Sequence, residues 1–164
     1  MKIGSVLENQ KIEKRIAITP EIAKKYISIG LDVLLPKDYG VHLGINDEEY
    51  KSIGVKFSND ENEIINNSNI IVQLGLLSED KSVLLKKDQT LIGVLNPYDN
   101  KKKLEQLTNK KINLFSLELL PRITRAQSMD ILSSQANLAG YKAVIESFAN
   151  FEKAIPMMLS LIHI

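Results

Sequence analysis

Between residues 2 and 117, short apolar runs alternate with segments of helical pattern, and this alternation restricts the chain more than any other feature. Strands separated by helices cannot pair as tight hairpins. The arrangement that buries both element types is a mainly parallel sheet built from βαβ units. Strands are predicted at 2–6, 32–35, 70–74, 91–95 and 112–117. A polar loop follows the first of them, at 8–18. Thr19-Pro20 opens a helix, with Thr as N-cap, Pro at the first helical position and Glu21 in the first turn; Gly30 stops it. Asn46 and Asp47 start a second helix that Gly54 closes. A weaker helix is predicted at 60–66 and a stronger one at 101–109. His42, in the glycine-bearing stretch 39–44, reads as an ordinary loop residue before the second helix.

After residue 118 the pattern changes. Residues 119–134 carry no strand signal and are rich in hydrogen-bonding groups. From 135 a helical pattern runs to about 154, with Leu138, Ala139, Ala143, Ile145 and Phe148 as its apolar contacts. The expected fold is therefore α/β: a Rossmann-like (flavodoxin-like), mainly parallel sheet with helices on both faces, followed by a long C-terminal linking helix.

Composition removes several function classes. The chain has 164 residues, 44% hydrophobic and 25% charged, which is enough to bury a core and too apolar for disorder. Net charge is +1 and the basic residues are spread rather than striped, so a nucleic-acid footprint is not expected. There is no cysteine, which excludes disulfides, thiolate nucleophiles and cysteine-held metals. Two histidines leave little for a histidine metal cluster or a Ser-His-Asp triad, so no metal site is expected. No apolar run approaches the ~20 residues that span a bilayer.

The segment from Pro121 to Gln135 concentrates fixed polar groups. Arg122 offers a rigid fork of donors, Gln127 a carboxamide that both donates and accepts, Asp130 an acceptor and Ser133 a small hydroxyl. On a loop feeding a helix N-terminus, such a set suits a planar polar ligand that carries an amide. Spacing alone equally allows a capping loop, with Asp130, Ser133 and Ser134 capping the long helix and Arg122 paired to Asp130.

The run PRITRAQSMDILSSQANLAGYKAVIE at 121–146 closely resembles the NAD(H)-binding domain of the α subunit of proton-translocating NAD(P) transhydrogenases. KIGSVLE at 2–8 and EKRIAITPE at 13–21 resemble the wider family shared with alanine dehydrogenases. This resemblance implies that Arg122, Gln127, Asp130 and Ser133 contact the nicotinamide, with Ile123, Thr124, Ser128 and Met129 in the same stretch. It implies NAD(H) as cofactor, with NADP(H) bound by another domain or subunit. It implies a β subunit and a membrane domain as partners, a homodimer in the full-length form, and a cytoplasmic place on the inner face of the bacterial inner membrane. Residues 1–133 would form the N-terminal domain and 134–158 a helix linking to an NAD-binding domain.

Two features refine what the resemblance implies. Alanine dehydrogenases hold and protonate a keto acid with an arginine, a lysine and a histidine. Arg15 matches the first, but the other two positions fall at about Gln73 and Asn96. Neither side chain supplies a proton near neutral pH, so acid–base work on a keto acid is disfavoured. Hydride transfer between two nicotinamides needs no such group, and no catalytic residue is expected here. An alanine dehydrogenase-type enzyme and a non-catalytic interaction domain are the alternatives. The eight glycines never form G-x-G-x-x-G after a strand, so the phosphate-cradling turn is missing from this sequence. The last six residues, LSLIHI at 159–164, are also what a common transposase-type sequencing adapter encodes. They are expected to be a read-through tail rather than a piece of the domain.

Overall fold

The computed structural model describes residues 1–154. The end of the expected linking helix, 155–158, and the tail 159–164 lie outside the described residues. Two compact units are present, the first at Met1–Pro121 and the second beginning at Arg122.

The first unit contains six strands: β1 (Lys2–Gly4), β2 (Asp32–Pro36), β3 (Lys56–Ser58), β4 (Ile70–Val72), β5 (Thr90–Gly93) and β6 (Asn113–Ser116). All five pairings are parallel and the order is β3-β2-β1-β4-β5-β6. This is the doubly wound order of dinucleotide-type sheets, with its switch point between β1 and β4. The Rossmann-like expectation holds.

Side-chain alternation sorts the core into two layers. Ile3, Val33 and Leu35 face one way and bury against α1 (Pro20–Ser28) and α2 (Asp47–Ile53) through Ala23 and Tyr50. Ile71 and Leu91 face the other way and meet Ile64 and Ile65 of α3 (Glu61–Asn67) and Leu107 of α5 (Lys101–Asn109). A fully buried aliphatic side chain of this kind contributes roughly 1.5–3 kcal/mol.

Local signals set the helix ends as expected. Thr19 Oγ1 accepts from the Ile22 N–H, and Glu49 reaches back to the Asn46 N–H at 3.1 Å. Gly30 and Gly54 close α1 and α2 at φ +85° and +100°, where a side chain would be strained.

Besides short 3-10 helices, two elements escaped the sequence reading: β3 and the five-residue α4 (Glu79–Val83). Each is too short to show a period. The expected strands at 2–6 and 70–74 end early for one shared reason. Ser5 and Gln73 still donate to the neighbouring strands, to Leu34 O at 3.4 Å and Ile92 O at 2.9 Å, but the donors after them turn to side chains. Val6 N–H goes to Gln73 Oε1 at 2.9 Å, and Leu74 N–H to Glu8 Oε1 at 2.7 Å.

The second unit holds a short 3-10 helix at Thr124–Met129 and the long α6 at Ile131–Ala149. This helix starts four residues earlier than expected, because Asp130 is its N-cap: Oδ1 accepts from the Ser133 N–H at 3.0 Å.

Candidate functional site

Five of the eight predicted cofactor residues line one cleft of about 240 Å³: Arg122, Ile123, Thr124, Gln127 and Asp130. Ser128 and Met129 lie on the same 3-10 turn, and Ser133 is joined to the set through Asp130, its Oγ donating to Oδ2 at 2.7 Å. The 3-10 turn explains the grouping. At three residues per turn, Thr124 and Gln127 eclipse one another on one side. Ala126 points away and is buried. Ile123 keeps roughly half of its surface exposed, 55%, which gives the cleft an apolar flank beside its polar groups; Met129, on the same turn, is 52% exposed.

Both readings of the polar segment meet in Asp130. It caps α6 as a capping loop would, yet its carboxylate retains acceptor capacity beyond the two Ser133 bonds. The Ser133 hydroxyl holds the Asp130 carboxyl below its ordinary value. The Ser133 N–H and the charge of Arg122 push it further the same way. A lowered carboxyl favours the capped state above the ordinary Asp value and loses that advantage as pH falls through the lowered one. Helicity of α6, followed by circular dichroism, should therefore hold from neutral pH down to about pH 4 and decline below it. Asp130→Asn keeps a capping oxygen without a titrating proton and should make that decline shallower. An equally deep decline in the variant would remove Asp130 as its cause.

Of the three positions matched to keto-acid chemistry, Arg15 and Gln73 have their side chains engaged with other partners and Asn96 lies exposed on a turn. Arg15 Nε donates to Glu13 Oε1 at 2.8 Å and a terminal nitrogen to Oε2 at 2.6 Å, a forked pair inside the loop after β1. That pairing holds the Glu13 carboxyl below the usual range. Asn96 is exposed at φ +46° on the turn after β5. Gln73 is buried at the end of β4, only 3% exposed, and all its polar capacity is spent. Its Oε1 accepts from Ser5 Oγ at 2.7 Å and from the Val6 N–H; its Nε2 donates to Val6 O at 3.2 Å and Glu8 Oε1 at 3.3 Å. Because Ser5 gives its one proton to Gln73, Tyr39 must donate to Ser5, and the Tyr39 oxygen accepts from the Ala17 and Ile18 N–H groups. Burial pushes the Tyr39 phenol up, so it stays protonated in that role.

His42 does more than the sequence reading gave it. Nε2 sits 2.7 Å from Lys14 O and Nδ1 3.3 Å from Gln10 Nε2, so the ring fastens both ends of the loop tip after β1. Sequence reasoning also missed the carboxylates at the carboxyl edge of the sheet. Glu8 receives the N–H groups of Leu74 and Gly75, Glu61 that of Leu7, and Glu118 those of Leu95 and Asn96. Their partners lie 22 to 67 residues away, so the one available signal was their position just past a strand or at a helix start. Among the described residues no cluster of three or more His, Asp or Glu could hold a metal, and no helix is long and apolar enough to cross a membrane.

Comparison with known proteins agrees with the fold. The family model described as "Alanine dehydrogenase/PNT, N-terminal domain" matches residues 4–139. An NAD(P) transhydrogenase subunit alpha polypeptide of Rickettsia prowazekii is 43% identical over 98% of this chain, and its counterpart of Rhodospirillum rubrum 38% over 98%. The chain spans 43% of the length of each of these relatives. The crystal structure of transhydrogenase from Sinorhizobium meliloti superposes with a TM-score of 0.87 at 33% identity, covering 98% of this chain and 48% of that one. An L-alanine dehydrogenase superposes at 0.67 with 21% identity over 72% of this chain, which shows a shared fold alone. The chain therefore belongs to the alanine dehydrogenase/pyridine nucleotide transhydrogenase family, whose N-terminal domain it carries.

Proposed function

We propose that this chain is the N-terminal portion of the NAD(H)-binding component of a proton-translocating NAD(P) transhydrogenase, and that its task is to hold the nicotinamide end of NAD(H). The observation that carries the reading is the gathering of Arg122, Ile123, Thr124, Gln127 and Asp130 around one cleft. Their chemistry fits the group. Arg122 can donate to the carboxamide oxygen of a nicotinamide, Asp130 can accept from its nitrogen, and Gln127 can do either. Ile123 and Met129 offer apolar surface to the ring. NAD(H), when bound, supplies the hydride. The residues of this chain orient the carboxamide, limit ring rotation and keep water from one face. None of them moves a proton.

In the complete assembly, NADP(H) would be held by a second domain or subunit, and a β subunit with a membrane domain would couple the transfer to proton movement. The component would act as a homodimer on the cytoplasmic face of the bacterial inner membrane. An alanine dehydrogenase-type reaction is disfavoured, because Gln73 is neutral, buried and fully hydrogen-bonded where a proton donor is needed.

No glycine-rich phosphate turn lies within this sequence. The nicotinamide end alone contributes a small share of the contacts a dinucleotide needs. Calorimetry on this chain should therefore find NADH binding weaker than about 100 µM. Affinity tighter than about 1 µM would contradict the division of labour.

A further inference from the structure

The 19-residue α6 buries none of its residues. A helix of this length without tertiary contacts is marginal in water, so its stability calls for a covered face. Leu138, Tyr141, Ile145 and Phe148 recur at spacings of three, four and three, which sets them in one stripe along the helix. They are 46 to 69% exposed, and no charge interrupts them.

We infer that this stripe is a self-association surface: α6 pairs antiparallel with α6 of a second copy, about a two-fold axis at the level of Ala143. Three features select a second copy as the occupant. The first is volume. Tyr141 and Ile145 lie two residues either side of Ala143, and Leu138 and Phe148 lie five. An antiparallel pair sets Leu138 against the partner's Phe148 and Tyr141 against the partner's Ile145. Each layer then joins one aliphatic side chain to one aromatic ring, and the layers fill evenly, as close packing requires. A parallel pair would stack ring on ring and aliphatic on aliphatic, in layers of unequal size. The second feature is charge. Lys142 flanks the stripe, and its ammonium is paired to Glu146 within the same helix. Two copies therefore meet without repulsion, whereas a strongly charged partner finds no free counter-charge along the seam. The third is area. Each stripe residue offers on the order of 100 Å². Two copies withdraw about 800 Å² from the stripes alone, and their flanks bring the total near the low end of specific interfaces, about 1,200 Å². The inference gives the proposed homodimer a surface. It takes nothing from the nicotinamide reading, whose cleft stands or falls by its own test.

Sedimentation equilibrium of this chain, loaded up to about 300 µM, should give twice the single-chain mass with a Kd of about 1–100 µM. Ile145→Glu buries a charge in the seam and should raise that Kd more than about 100-fold. Ala143→Glu places the same charge at the same height on the opposite side of the helix and should leave the Kd unchanged. Circular dichroism checks that the helix persists; should Ile145→Glu lose it, Tyr141→Glu carries the test. The chain has no cysteine, so pairing geometry can be read by a single introduced thiol. Val144 borders the stripe one residue from the axis and meets its own copy there. Mild oxidation should therefore link Val144→Cys into dimers and leave Ala143→Cys as single chains. A chain that stays monomeric at about 300 µM would overturn the inference and leave the stripe to another partner. So would a dimer that survives the charge in the stripe, or Ala143→Cys linking as readily as Val144→Cys.

Discussion

Replacing Gln73 by alanine should lower the unfolding free energy by about 3–5 kcal/mol, read as a fall in the urea midpoint at unchanged slope. The side chain is buried where β1 and β4 part, and it spans the gap between the two strands. Truncation leaves the Val6 N–H and carbonyl without partners, breaks the Ser5 bond that orients Tyr39, and leaves a small void. Each orphaned buried group costs about 1–3 kcal/mol, and the void adds to that. Leucine at the same position fills the volume but not the bonds, so Gln73→Leu should recover only the share of the loss that the void causes. Full recovery by leucine would mean that the amide contributes shape rather than hydrogen bonds.

The second large effect concerns activity. In a complete transhydrogenase α component that carries this segment, Arg122→Ala should reduce hydride transfer about 100-fold, the scale on which a misplaced reacting group loses rate. Arg122 lines the cleft and is a fixed donor able to grip the carboxamide oxygen. Arg125 is the control. It lies on the same 3-10 turn and carries the same charge, but it does not line the cleft. Arg125→Ala should leave the rate within about twofold, because surface charges away from such a site have small effects. Equal losses for both arginines would point to general electrostatic attraction of the nucleotide instead of placement of its nicotinamide.

Local chemistry was legible in the sequence and long-range chemistry was not. The limits of α1 followed from Thr19, Pro20 and Gly30, each acting on neighbours within a turn. The parallel sheet followed from the alternation of elements, because connectivity restricts pairing. β3 stayed hidden because Lys56–Ser58 offers three residues, too few to display a period of two. The ends of β1 and β4 were placed two residues too far. What ends them is the reach of Gln73 and Glu8 across 65 to 67 positions of chain, which no local pattern announces. Gly93 belongs to the same class. A Cβ there would meet the Gln73 carbonyl oxygen at 2.5 Å, a constraint visible only once β4 and β5 are neighbours. In the candidate site, the residue types pointed to hydrogen bonding, and the resemblance chose which residues. The start of α6 was misplaced because Asp130 reads equally well as a ligand contact and as an N-cap, and its bonds to Ser133 make it the cap.

The central claim is that the stretch from Arg122 to Ser133 receives the nicotinamide of NAD(H). Its most direct test is to follow the backbone amides of this chain by ¹H–¹⁵N correlation spectroscopy while NADH is raised to about 10 mM, enough to populate a millimolar site. The predicted result is a saturable set of shifts centred on Ile123, Thr124, Gln127 and Asp130, with β2 and β3 unmoved. Shifts gathered instead on residues 7–9 and 74–78, or none anywhere between 122 and 133, would contradict it.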